Sequence, residues 1–138
     1  MKVFLLFIIV AVTLTTLFSC KKVIEEKQKD LFISTMTEGE WYVESYMEGT
    51  IAITEQFADY VFQFKDDGTV TGIKGQDKVY GTWIGDIANY SISSNFPSAE
   101  NPVRKLNGSW KITNTKTGFV HAEMTIGADK NILQLKKK

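Results

Sequence analysis

Beyond Gly39 the apolar residues recur at every second position, and they hold that period to the end of the chain. Successive side chains of an extended strand point to opposite faces, so this period commits the stretch to half-buried β-strands. Eight strands are predicted: Glu40–Glu48, Asp59–Lys65, Thr69–Lys74, Lys78–Ile84, Ile87–Ser93, Leu106–Thr113, Phe119–Ile126 and Asn131–Lys136. In the first, Trp41, Val43 and Met47 share one face, and Glu40, Glu44 and Glu48 the other. In the second, Tyr60, Phe62 and Phe64 fall together. Asp66-Asp67-Gly68 is a strong hairpin signal, because Gly68 can take a positive φ at no steric cost. Gly85-Asp86, Asn114–Gly118 and Gly127–Lys130 supply further turns, and a loop holding Pro97 and Pro102 precedes the sixth strand. No segment of this region has a helical period. The expectation is an all-β, antiparallel domain.

The first part of the chain obeys a different rule. Lys2 precedes the apolar run Val3–Phe18, which ends in Leu17-Phe18-Ser19-Cys20 with the sole cysteine of the sequence. A basic start, a greasy segment and a small residue before a cysteine resemble a bacterial lipoprotein signal, although Phe18 is bulkier than the residue usual at its place. That resemblance implies cleavage after Ser19, a diacylglyceryl thioether on Cys20 and usually a third, palmitate-like chain on its amine. Lys21 at the following position, rather than Asp, resembles the pattern sent to the outer membrane of Gram-negative cells. An uncleaved anchor is the other reading. A span needs about 20 apolar residues, and the charges at Lys2 and Lys21 leave fewer, diluted by Thr13, Thr15 and Thr16.

The division is therefore a signal peptide at 1–19, a lipid-anchored tether with a short apolar lead-in at 20–37, and one domain at 38–138. Lys21–Asp30 is almost wholly charged and reads as a solvated tether, transiently helical through Glu25 and Glu26 against Lys29 at i, i+4 and i, i+3, whereas Leu31-Phe32-Ile33 should pack onto the domain. With 43% hydrophobic and 23% charged residues, the composition is that of an ordinary globular protein. A core of this size forms without disulfides. Sixteen basic and sixteen acidic residues balance, so no strong field draws the chain to nucleic acid or to an anionic membrane surface.

All three tryptophans stand in one triplet, as Gly39-Glu40-Trp41, Gly81-Thr82-Trp83 and Gly108-Ser109-Trp110. Residues i and i+2 share a strand face, so each glycine leaves room beside its indole or lets a neighbouring chain approach. Trp41, opening the first strand after an apolar lead-in, resembles the Gly-x-Trp signature at the start of strand one in lipocalins. With Phe62-x-Phe64, Asp67-Gly68-Thr69-Val70 and Tyr80-Gly81-Thr82-Trp83 behind it, the chain from Thr37 to Lys136 is similar to the small lipocalin-like lipoproteins of Gram-negative envelopes. The resemblance implies an eight-stranded antiparallel up-and-down β-barrel following an N-terminal signal helix. It also implies that a late basic residue, Lys136 or Lys137, packs across Trp41.

In such a barrel alternate connections fall at opposite rims. The joins Asp66–Gly68, Gly85–Asp86 and Asn114–Gly118 are short and share one rim; Gly49–Ala58 and Ser94–Lys105 are long and share the other. Long loops at one rim suggest a ligand mouth. Strand direction places Trp41, Phe64, Trp83 and Trp110 together at the short-turn rim, where with Phe62 they would plug the barrel. Above that plug a pocket would be lined by Met47, Tyr60, Val79, Ile92, Leu106 and Met124, with Ile51, Ile53 and Phe57 as a lid. The alternative is that eight strands enclose only what their own side chains fill.

Catalytic and metal motifs are not expected. His121, the sole histidine, could share a strand face with Glu123, but no second histidine completes a zinc site and a lipidated Cys20 cannot ligate. It is better read as an outward residue opposite Val120, Ala122 and Met124. No serine sits in a nucleophile motif. No cofactor is expected. The leading expectation is a non-enzymatic, lipid-anchored envelope protein binding a small hydrophobic or amphipathic ligand. The alternative is a protein- or glycan-interaction module with a solidly packed barrel.

Overall fold

The computed structural model describes the backbone of residues 2–138 and the side chains from Cys20 onward. The signal-peptide reading of 1–19 concerns side chains outside the described residues. A long helix, α1 (Lys2–Thr37), leads into nine strands: β1 (Trp41–Glu48), β2 (Ile51–Ala52), β3 (Val61–Phe64), β4 (Thr69–Lys74), β5 (Asp77–Asp86), β6 (Ser91–Asn95), β7 (Gly108–Lys116), β8 (Phe119–Ile126) and β9 (Asp129–Lys137). All neighbours are antiparallel, and β1 pairs with β9 to close the sheet. The result is an eight-stranded up-and-down barrel, as expected, with the two-residue β2 added beside the end of β1. Among the described residues, no helix is long and apolar enough to cross a membrane.

Closure is uneven around the barrel. From Trp41↔Lys137 to Glu48↔Asn131, β1 runs along β9, but it meets β3 at the single pairing Trp41↔Phe62. Beyond that point β1 and β3 diverge. The first long connection fills the gap with a 3-10 turn, Thr54–Phe57, whose Phe57 is 2% exposed.

Three local departures from simple alternation matter for the interior. The β1–β9 register shifts between Val43 and Ser45, a bulge in which one strand gains a residue. Past it the faces exchange, so Tyr46 is fully buried and Met47 is turned out, half-buried beside Ala52 and Ile132. Met47 is thus corrected from a pocket residue to an outer-face one. Gly85-Asp86 is not a turn either: β5 continues through both, and β6 begins only at Ser91 rather than Ile87. Gly85 lies in the strand because a Cβ there would stand 2.7 Å from Cε1 of Phe32 on α1. Leu106 closes a second 3-10 turn, Val103–Leu106, rather than opening a strand.

The helix is where the tether was expected. Its C-terminal part docks on the short-turn rim through Phe32 and Met36, both buried, with Ile33 packed against the core. Leu31 does not join them and is 68% exposed. The Trp41 indole donates to the Met36 carbonyl at 2.9 Å, tying the last turn of α1 to the first residue of β1.

Candidate functional site

The barrel is capped at both rims. At the short-turn rim the plug is α1 with Trp41, Phe64 and Trp83. Trp83 meets Phe64 edge-on at 5.3 Å between centroids, and its indole donates to the carbonyl of Lys65, which leads into the Asp66–Gly68 hairpin. That hairpin is set as expected: Gly68 has φ +82, and the Asp67 carboxylate accepts from the amide and hydroxyl of Thr69, which hold its pKa below the usual carboxylate value. Lys137 places its ammonium 5.6 Å from the centre of the Trp41 ring, the arrangement that the lipocalin resemblance implied for Lys136 or Lys137.

Trp110 sits elsewhere than expected. It is the third residue of β7, which starts at the long-loop rim, so its indole plugs that rim and donates to the Leu106 carbonyl at 2.9 Å. Beside it the Tyr46 ring stacks on Phe57 at 5.3 Å and meets Trp110 edge-on at 5.7 Å. Phe96, Ala99, Val103 and Leu106 of the second long connection are buried as well. Asn107 holds that connection in place, its Oδ1 accepting from the Phe96 amide at 2.7 Å and its Nδ2 donating to the Phe96 carbonyl at 3.3 Å. Lys105 reaches across to both Glu48 oxygens, at 2.7 and 2.8 Å. The long loops that suggested a mouth are folded inward and close it.

Between the plugs remains a central void of about 30 Å³, bordered by Phe62, Phe64, Ile92, Phe96, Leu106 and Trp110. The only hydroxyl on its wall, that of Ser94, already donates to the Leu106 carbonyl at 2.6 Å. A space of about one water molecule with no free polar partner stays dry. Of the residues expected to line a pocket, Ile92 and Leu106 border the void, whereas Tyr60, Val79 and Met124 are partly buried and pack against the core around it. Of the expected lid, Ile53 and Phe57 are buried and Ile51 is 65% exposed.

The three glycines of the tryptophan triplets serve other neighbours than their own indoles. A Cβ on Gly81 would lie 2.6 Å from the Asn95 carbonyl and 2.7 Å from the Phe96 ring, and one on Gly108 would lie 2.7 Å from the Met124 sulfur. Gly39 takes φ +77 against the stem of Lys137.

One polar cluster is built into the long-loop rim. The Tyr46 hydroxyl donates to the Lys105 carbonyl at 3.0 Å and accepts from Asn131 Nδ2 at 3.4 Å, while Asn131 Oδ1 accepts from the Gly49 amide at 3.3 Å. Burial pushes the Tyr46 hydroxyl from 10.0 up to about 12; the Asn131 donor opposes the rise and the Glu48 charge adds to it. A pKa raised by folding leaves stability intact below the unfolded value and removes it as pH rises through the folded one. Unfolding free energy should therefore fall as pH rises from 10 towards 12. The fall should reach up to about 3 kcal/mol, because a tenfold change in proton affinity corresponds to about 1.4 kcal/mol. Urea titrations across that range should show a shallower fall for Tyr46→Phe, at a cost near neutral pH of about 1 kcal/mol for the lost hydrogen bonds; parallel curves would show that Tyr46 is not the group responsible.

His121 is half-buried on the outer side of β8, between the buried Val120 and Ala122. Its Nε2 has no hydrogen-bond partner among the described residues. Glu123 is engaged by Lys130 at 2.9 Å, and that hydrogen bond is the main cause lowering its pKa.

No family profile matches the sequence, and no curated protein matches it. Among solved structures, the crystal structure of a DUF4847 family protein from Bacteroides vulgatus ATCC 8482 is similar in fold, with a TM-score of 0.54 and 14% identity over 75% of this chain and 94% of that one.

Proposed function

We propose that this chain is a lipid-anchored envelope protein whose barrel is a solid, non-enzymatic interaction module, engaging a protein or glycan at its long-loop rim. The observation that carries the reading is the interior: about 30 Å³ against the roughly 300–1,000 Å³ of small-molecule sites. Exposed apolar groups on that rim, Ile51 at 65% and Ile126 at 55%, give a partner something to bury. The anchor rests on the resemblance of Lys2, the apolar run and Leu17-Phe18-Ser19-Cys20 to a bacterial lipoprotein signal, and Lys21 next resembles the pattern sent to the outer membrane. Acyl chains on Cys20 would hold it there, each buried methylene contributing about 0.8 kcal/mol.

A carrier is the second reading, favoured by the largely apolar border of the void, where Ser94 alone brings a hydroxyl, and by the short β1–β3 seam. It requires Phe57 or the Phe96 loop to swing away from the core.

Native mass spectrometry of protein extracted from its own membrane tests both parts. The expected mass is that of residues 20–138 plus acyl chains, with no further small adduct, and Cys20→Ala should lose the acyl mass. A reproducible lipid-sized adduct on the Cys20→Ala protein would establish the carrier instead. Acyl mass persisting on that variant would refute the anchor.

A further inference from the structure

The stretch Lys21–Asp30 is charged at seven of its ten positions, yet it carries two large aliphatics, and Leu31 follows. Val23, Ile24 and Leu31 are 49%, 57% and 68% exposed. At about 100° per residue, Cys20, Val23, Ile24, Lys27, Leu31 and Ser34 share an arc of about 100° on α1. The docked residues Phe32, Ile33 and Met36 centre on the opposite side. Glu25, Glu26 and Asp30 all fall outside the arc, whose single charge is Lys27. The barrel therefore holds α1 by one face and turns outward the face that combines the cysteine, three aliphatics and a lone cation.

We propose that Cys20–Leu31 lies flat on the bilayer surface, with Val23, Ile24 and Leu31 in the headgroup–acyl boundary and Lys27 extended to the lipid phosphates. This rests on the reading that Cys20 is acylated, because its chains then enter the bilayer from the side that the aliphatics occupy. A bilayer fits this face better than a second copy of the helix, since packing stripe on stripe brings Lys27 towards its like-charged counterpart. A lysine among aliphatics at a bilayer instead buries its stem and keeps its ammonium at the headgroups. Over the twelve residues Cys20–Leu31 the contact runs roughly 18 Å. It would keep the helix-capped rim near the lipid and leave the long-loop rim facing away.

The test uses the acylated protein, in which the Cys20 thioether leaves no free thiol. Single cysteines replace Ile24, Leu31, Glu26 and Gln28 in turn, carry a nitroxide, and are reconstituted in vesicles of phosphatidylethanolamine and phosphatidylglycerol. Collision with oxygen relative to a water-soluble nickel chelate should be several-fold higher at 24 and 31 than at 26 and 28. Equal ratios at all four sites, in protein whose intact mass includes the acyl chains, would overturn the flat helix alone. Protein lacking the acyl mass would overturn the anchor and the flat helix together.

Discussion

Trp41→Ala should cost about 4 kcal/mol of unfolding free energy, within the range for truncating a fully buried aromatic, and should release α1 from the barrel. Two connections converge on this one side chain, and a third on its backbone. It is 0% exposed, its indole ties β1 to the Met36 carbonyl, and its ring lies under the Lys137 ammonium on the closing strand. Its residue also makes the only register pairing between β1 and β3. Losing it leaves a cavity at the seam with the fewest strand pairings and an unpaired carbonyl at the end of α1. Urea unfolding of the detergent-solubilised protein measures the first effect, and protease cutting between Glu38 and Glu40 the second. Trp41→Phe keeps most of the ring and loses the donor, so a cost of about 1–2 kcal/mol is expected. If the alanine variant lost less than about 1.5 kcal/mol and stayed resistant to cleavage, Trp41 would not be the residue that closes the barrel.

The period of two is enough to locate all eight barrel strands and both rims, because alternation and Asp-Asp-Gly-type turns are local properties. What it does not reveal are places where a distant segment sets the local geometry. The bulge after Val43 falls at Glu44-Ser45, residues with no turn chemistry, so nothing in the sequence marks the exchange that buries Tyr46 and turns out Met47. Gly85 reads as a turn and is instead a strand position made bare for Phe32, a residue more than fifty positions earlier. Starting the sixth strand at Leu106, two residues before Gly108 begins β7, puts Trp110 at the wrong rim. The helicity of the tether is legible only in the spacing of Glu25 and Glu26 against Lys29; its docking is not, since the docked side is only Phe32, Ile33 and Met36. The filled interior is the hardest feature to foresee. Alternation shows which side chains point inward, but the inward fold of two long loops decides whether any space is left.

Phe96→Ala tests that last point directly. Phe96 is 1% exposed, borders the central void, and meets Phe62 edge-on at 6.2 Å. Removing its ring should cost about 3–4 kcal/mol and widen the void to on the order of 100 Å³, close to engineered apolar cavities that take up benzene. Because ligand that binds only the folded state adds RT ln(1 + [L]/Kd), benzene at 100-fold over its Kd would restore about 2.7 kcal/mol. Thermal unfolding with and without benzene should therefore show a rise for Phe96→Ala and none for the unaltered protein. The backbone clamp on the loop, in which Asn107 holds the Phe96 amide and carbonyl, is untouched by the substitution, so the loop should keep its path around the new space. A benzene response of the unaltered protein equal to that of the variant would mean that the interior opens on its own, and the carrier would then replace the solid module as the better account of this barrel.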